Sequence, residues 1–397
     1  MSDNRVIGAE MDAPGQSGWR WDWLNGRRVR AYSVIVLIAT VGVGVVRVAM
    51  ALAGTGPLGF ELTSDYLSFW AASHLALSGH ALDVYSIDRH WAAQREVIAD
   101  AGYSAFLYPP IWLLMCLPLA LLPFWWSLVA FLGATGAGYW WVFRRIMPGS
   151  GVAALACPAV AMNVVFGQNG LLTTALFGGG VLALQRQPWL AGICFGCLAY
   201  KPHLAAIAPI ALIAGRHWRA LAAMMATVAA LIAASLALFG VAAWQGFFAE
   251  APFARSVLEH GLVVNYSWES FFRAVVQMGG SVTTAYVVQG FVALLAVSAM
   301  IVAIRQRPDA IIAVLPLATL LASPFLLAYD LALLALPMAW LGREGLRRGF
   351  RGWEKPVLCL AFLTPIASIP ASAIHLPVLG PLVMSALLAL TMRAVQR

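Results

Sequence analysis

TSDYLSFWAASHLALSGHALDVY, from Thr63 to Tyr85, follows the first long apolar segment of the chain. Most of this stretch is apolar, yet Asp65 stands near its start, and His74, His80 and Asp83 follow. Read as a helix from Asp65, it puts Tyr66, Phe69, Trp70 and Ser73 on one strip by i, i+3, i+4, i+7 spacing. Ser64 or Asp65 can cap its first turn, where the helix dipole favours a carboxylate. Gly79 would stop it. The expectation is a helix that lies flat at a membrane surface and does not cross, with Asp65 at its start. On position alone, Asp65 is equally well read as a cap or as a working carboxylate.

Working outward, the composition sets the class. The chain has 397 residues, 61% of them hydrophobic and 11% charged, against about 25% charged in soluble domains. Sixteen Trp and repeated long apolar runs predict an all-α polytopic membrane bundle of about 11–13 segments. The net charge of +8 does not point to nucleic acid, because the basic residues are scattered between apolar segments, as the positive-inside rule requires. A polar start precedes the first span, so a cleaved leader is not expected. Cys116, Cys157, Cys194, Cys197 and Cys359 all lie in apolar stretches. Cys194 and Cys197 form a CxxC without a second pair, which reads as membrane core rather than as a metal or redox site.

In chain order, residues 1–30 read as a cytoplasmic tail with Trp19, Trp21 and Trp23, then Arg27, Arg28 and Arg30. Residues 31–397 read as one integral-membrane domain, with a first span over 31–53. The segment 54–106 holds six acids and two basic residues, a bias that makes it the first extracytoplasmic loop. Its part after Tyr85, SIDRHWAAQREVIADAG, reads as a second, polar surface helix. Tyr108-Pro109-Pro110 opens the next apolar stretch, and Pro in a first helical turn costs little. Further apolar segments cover 151–166, 170–185, 188–199, 204–215, 219–240, 281–304, 310–323, 328–341, 356–372 and 376–392. A second extracytoplasmic loop is expected over 241–280.

Charge then sorts the two faces. Arg144 and Arg145, Arg186, Arg216 and Arg219, Arg305 and Arg307, the basic run 343–355, and Arg393 and Arg397 go inside. Gln168-Asn169, Lys201, the 241–280 segment and Ser323-Pro324 then share the outer face with Asp65. Residues 107–143 have the length of two spans, whereas this topology needs an odd number of crossings there. Either one piece of 107–143 does not cross, or Arg144 and Arg145 are misplaced.

Taken together, the outer Asp before FWxA, GxxLDVY, YPP, GQN, a KP pair after a short apolar segment, NxS in a late outer loop, and SP followed by a YD pair resemble glycosyltransferase family 87. The resemblance runs from about residue 60 to 340. It implies a GT-C fold of the polyprenol-phosphate-mannose-dependent mannosyltransferase kind. It further implies transfer of a sugar, with mannose or arabinose leading, from a polyprenyl phosphate to an acceptor hydroxyl on the extracytoplasmic face, with inversion. The family's base, an acid at the start of the first outer loop, falls on Asp65. Many members carry a His near the position of Tyr329-Asp330, which this chain lacks. The implied partners are the polyprenyl-phosphate donor, a glycolipid or glycan acceptor and the bilayer of a bacterial inner membrane. The donor is a substrate, so no cofactor and no metal is expected.

The residues suit that chemistry. Inversion needs one carboxylate to deprotonate the acceptor while the phosphate leaves from the opposite face, whereas retention wants two opposed carboxylates. A leaving phosphate wants cationic donors, and Lys201 is the only Lys on the proposed outer face. It can equally be a snorkelling boundary residue. His203 and Tyr108 are helpers in holding the donor phosphate. Gln168 and Asn169 either satisfy a turn or bind sugar hydroxyls. Asn265, Ser267 and Trp268 form a sugar-binding patch or, for Trp268, part of an interfacial belt. Asp330 is a sugar- or acceptor-binding candidate because intramembrane acids are functional suspects, although an N-cap explains it too. A transporter of lipid-linked solutes is the rival reading. Its sites usually sit on broken helices in paired repeats, and no internal repeat is visible.

Overall fold

The computed structural model describes residues 21–52, 64–262, 268–373 and 379–397. Asn265 and Ser267 lie outside the described residues. The main helices are α1 (Gly26–Leu52), α2 (Ser64–Leu77), α3 (Ile87–Val97), α4 (Pro110–Cys116), α5 (Phe124–Ile146) and α6 (Pro158–Phe166). They continue as α7 (Gly170–Ala183), α8 (Pro188–Cys197), α9 (Ala208–Ala214), α10 (Trp218–Ala249), α11 (Ala251–His260) and α12 (Phe271–Gln277). The last are α13 (Val282–Gln306), α14 (Ile311–Ala322), α15 (Ala335–Arg348), α16 (Glu354–Ala373) and α17 (Leu379–Val395). Among the described residues there is no strand, only an isolated antiparallel bridge between Trp268 and Leu327. The chain is an all-α polytopic membrane protein.

Helix boundaries follow the local chemistry. Asn25 Oδ1 accepts from the Arg28 N–H at 3.1 Å, an N-cap that starts α1 at Gly26, five residues before the expected span. Arg27, Arg28 and Arg30 therefore lie on the helix and not in the tail. Gly79, at φ 83°, follows α2, in the left-handed conformation that glycine tolerates best. Gly240, at φ 74° and ψ 173°, breaks α10 at the residue where its span was expected to end. Beyond it the chain stays helical, so the expected 241–280 loop is largely the end of α10 followed by α11 and α12. The Arg255–Glu259 pair of α11, at 2.7 Å, has the i, i+4 spacing that supports a short helix. Arg273 Nη1 donates to the Leu258 and Glu259 carbonyls at 3.1 and 3.0 Å, closing the end of α11.

By length and composition, Gly26–Val46, Trp218–His260 and α13 are long and apolar enough to cross a bilayer. Six other apolar helical segments have only 10–17 residues. Residues 107–143 divide into a short helix, a corner and a long helix. Pro110 starts α4, which ends after seven residues; a corner over 117–123 follows; then α5 runs for 23 residues, about 34 Å at 1.5 Å per residue. Trp125 and Trp126 are exposed near one end of α5. Near the other, Arg144 and Arg145 stack on Trp140 and Trp141 at 4.5 and 5.1 Å.

The basic segments gather at one end of the bundle. Lys355 Nζ donates to the Trp21 carbonyl at 2.9 Å. Arg307 reaches Glu344 at 2.8 Å and the Ala394 carbonyl at 3.1 Å. Arg348 pairs with Glu344, Arg343 with Asp309, and Arg397 with Glu354. Gly342 is so close to Met147, just past α5, that an added Cβ would lie 3.2 Å from its sulfur. That contact brings the Arg144–Arg145 end of α5 to the same end.

Candidate active site

The strip read from sequence on α2 grips the corner between α4 and α5. Tyr66 hydrogen-bonds through its hydroxyl to Ser127, whose Oγ donates to the Leu119 carbonyl. Trp70 Nε1 donates to the Leu122 carbonyl at 3.0 Å. Ser73 Oγ donates to the Leu117 carbonyl and accepts from the Ala120 N–H, both at 3.0 Å. These bonds satisfy backbone groups that the end of a seven-residue helix leaves orphaned. The opposite side of α2 is covered as well, because His90 of α3 meets the Ser68 carbonyl at 3.1 Å and Leu67, Ser68, Ala71 and Ala72 are buried. The expected flat surface helix is thus an enclosed one, with Asp65 half-buried in its first turn.

Next to α2 lies the turn between α6 and α7. Gly167 adopts φ 65°, and a Cβ there would stand 2.3 Å from Cβ of Tyr66. A Gly167→Ala variant meets both the left-handed penalty of about 1–2 kcal/mol and an overpacking cost of about 1–3 kcal/mol. Thermal unfolding of the purified variant should show a clear loss; a wild-type midpoint would mean that α2 is not seated there.

The turn itself is wired by amides. Asn163 Oδ1 accepts from the Gly170 N–H at 2.7 Å, and its Nδ2 donates to the Tyr329 carbonyl at 2.9 Å. Gln168 folds back, its Oε1 accepting from the Asn169 N–H at 3.0 Å. Asn169, fully buried, donates from Nδ2 to the Tyr108 hydroxyl at 3.2 Å, while its Oδ1 has no hydrogen-bond partner. Its carbonyl accepts from Thr173 Oγ1, and Thr173 also bonds Tyr200 at 2.7 Å. The Tyr200 ring stacks on Trp112 at 4.5 Å, which joins this turn to α4.

Beside Tyr200, Lys201 Nζ donates to Asp330 Oδ1 at 2.7 Å, and each side chain is only 3% exposed. Asp330 also receives the Leu327 N–H at 3.4 Å on its other oxygen. Lys201 is therefore no snorkelling boundary residue: its charge is already matched, because a lone ammonium at that burial would be costly. The His203 ring lies 6.2 Å from Phe325, and Phe325 lies 5.2 Å from Trp268. Trp268 is 5% exposed, which removes it from any lipid-facing belt.

Tyr108 ties the cluster together. Its hydroxyl pKa is raised well above the usual phenol value, first by burial, then by the nearby charges of Asp65 and Asp330. The phenol stays protonated, and both carboxylates are within its electrostatic reach. Asp65, Tyr108, Asn169, Lys201, His203 and Asp330 therefore form one group, drawn from five separate parts of the chain. Among the described residues, no three His, Cys, Asp or Glu side chains are placed to hold a metal ion.

Residues 106–327, more than half of the 397-residue chain, match a family model. The chain belongs to glycosyltransferase family 87. No curated protein and no solved structure matches it. Membership of family 87 makes the chain a membrane glycosyltransferase. The family 87 match contains Tyr108, Asn169, Lys201, His203 and Trp268 but stops short of Asp65 and Asp330. Structural contact, not the matched stretch, places those two acids beside the family 87 core. Sequence reasoning missed Asn163, Thr173, Tyr200 and Trp112 as supports of the site. A signal existed for Asn163, a lone amide in the apolar run 151–166, since a buried amide needs partners.

Proposed function

We propose that this glycosyltransferase moves a sugar, mannose being the leading candidate, from a polyprenyl phosphate to an acceptor hydroxyl, with inversion, and that Asp65 is the base. The observation that carries this reading is the unequal state of the two carboxylates near Tyr108. Asp330 is buried and held by Lys201. Asp65 is half-buried at the start of α2. A carboxylate less buried than its neighbour, and outside the Lys201–Asp330 pair, suits the base of a direct displacement.

In this scheme Asp65 takes the acceptor proton as the acceptor oxygen bonds to the anomeric carbon. The bond from that carbon to the phosphate oxygen breaks, and the phosphate leaves with the electron pair. Tyr108 supports the departing oxygen: it accepts from Asn169, and its own proton meets no acceptor among the described residues. Lys201 keeps N–H groups beyond the one given to Asp330. Asn169 Oδ1, without a partner, is an acceptor for a sugar hydroxyl. The gathering of basic residues at the opposite end of the bundle supports an extracytoplasmic site in a bacterial inner membrane, with the N-terminus cytoplasmic.

The test is transfer from labelled polyprenyl-phosphate mannose by the purified chain, with the anomeric configuration of the product read by NMR. An inverted product is expected. A retained configuration would sink the single-base scheme. No transfer from any polyprenyl-phosphate sugar, alongside measurable lipid translocation, would favour a transporter.

A further inference from the structure

The end of the bundle opposite the site carries an excess of positive charge that the described residues do not neutralise. Three acids among the described residues here are engaged: Asp309 with Arg307 and Arg343, Glu344 with Arg307 and Arg348, and Glu354 with Arg397. Arg305, Arg351 and Arg393 are exposed and have no acidic partner among the described residues. They come from three segments far apart in sequence. The Arg307 bond to the Ala394 carbonyl brings the Arg305 turn beside Arg393. The Arg397–Glu354 pair brings Arg351 alongside, since the Arg351 N–H donates to Glu354 at 3.0 Å.

Two large apolar side chains stand exposed on the same end, Leu346 at 67% and Trp353 at 71%. Arg305 is in the last turn of α13, one of the helices long enough to cross, so this end lies at a membrane boundary. Guanidinium groups that fit phosphate oxygens, next to a Trp suited to the headgroup level, match an anionic phospholipid better than a free anion. A free anion would gain nothing from Leu346 and Trp353.

We propose that Arg305, Arg351 and Arg393 form a binding site for the headgroups of anionic phospholipids, on the membrane face opposite the catalytic cluster. The site holds the bundle at a fixed level in the leaflet and is independent of the donor and acceptor.

The experiment compares full-length protein with an Arg305→Gln/Arg351→Gln/Arg393→Gln variant, both purified in neutral detergent. Phosphatidylglycerol and phosphatidylcholine are titrated in turn, and retained lipid is counted by native mass spectrometry. Thermal unfolding without added lipid checks that the variant is folded, which its exposed and unpaired substitutions favour. The wild type should retain phosphatidylglycerol in preference to phosphatidylcholine. Each basic group near an anionic surface contributes about fivefold, so the triple variant should lose that preference by about a hundredfold. Equal retention of the two lipids by the wild type would overturn the proposal. So would a folded variant that keeps the wild-type preference, or inorganic phosphate displacing the lipid at equal concentration.

Discussion

Asp65→Asn should leave the protein folded and able to bind donor while sugar transfer falls by about 10²–10⁴-fold, the usual share of a general base. That loss equals about 3–5.5 kcal/mol of transition-state stabilisation. The substitution keeps the size of the side chain and most of its hydrogen bonding, and Asn caps a helix about as well as Asp. What disappears is the basic carboxylate and a dipole interaction worth about 0.3–1 kcal/mol at the start of α2. The grip of α2 on the 117–127 corner runs through Tyr66, Trp70 and Ser73. Thermal unfolding and donor binding are measured beside transfer. Near wild-type transfer in a normally folded variant would reduce Asp65 to a cap.

The second large effect concerns the buried pair. Lys201→Ala should destabilise the protein by about 3–5 kcal/mol, the cost of leaving one member of a buried pair uncompensated. Among the described residues, Asp330 keeps only the long Leu327 N–H bond once the ammonium is gone. A Lys201→Met/Asp330→Asn double variant removes both charges and should recover most of that loss, because a buried pair itself contributes little net stability. Thermal unfolding of the three proteins distinguishes these outcomes, and an Ala variant as stable as the wild type would contradict the pairing. Donor affinity separates the two roles of Lys201. If its ammonium also meets the donor phosphate, the double variant regains stability yet binds donor about ten- to a hundredfold more weakly, the worth of one charge-assisted hydrogen bond.

Most helices were legible because glycine, proline and asparagine punctuate the apolar runs. Gly79 ends an element, Pro110 begins one and Gly240 kinks α10 where their backbone chemistry requires it. The strip of Tyr66, Trp70 and Ser73 was legible from spacing, but its partner was not, since the 117–123 corner looks like continuous membrane sequence until Pro118 and Pro123 are placed. The enclosure of α2 was missed because local periodicity says nothing about α3 folding back over it. The Lys201–Asp330 pair joins residues 129 positions apart. Its signal was nonetheless present, in two opposite charges on apolar stretches assigned to one face, where intramembrane charges tend to pair. The helical character of 241–280 was hidden by its polarity, which marks an amphipathic helix as readily as a loop.

The shortness of α7, α8 and α14 sets the depth at which chemistry takes place. With 14, 10 and 12 residues, they rise about 15–21 Å, while a hydrocarbon core is about 30 Å thick. α13, with 25 residues, rises about 37 Å by the same measure. Helices this short, set between the basic end and the cluster, leave Asn169, Lys201 and Asp330 at a depth well short of the full core thickness. Under the acceptor reading proposed above, a glycan coming from water would have to descend into the leaflet and shed its hydration before its hydroxyl met the cluster, which would admit a free chain end more easily than a branched or internal residue.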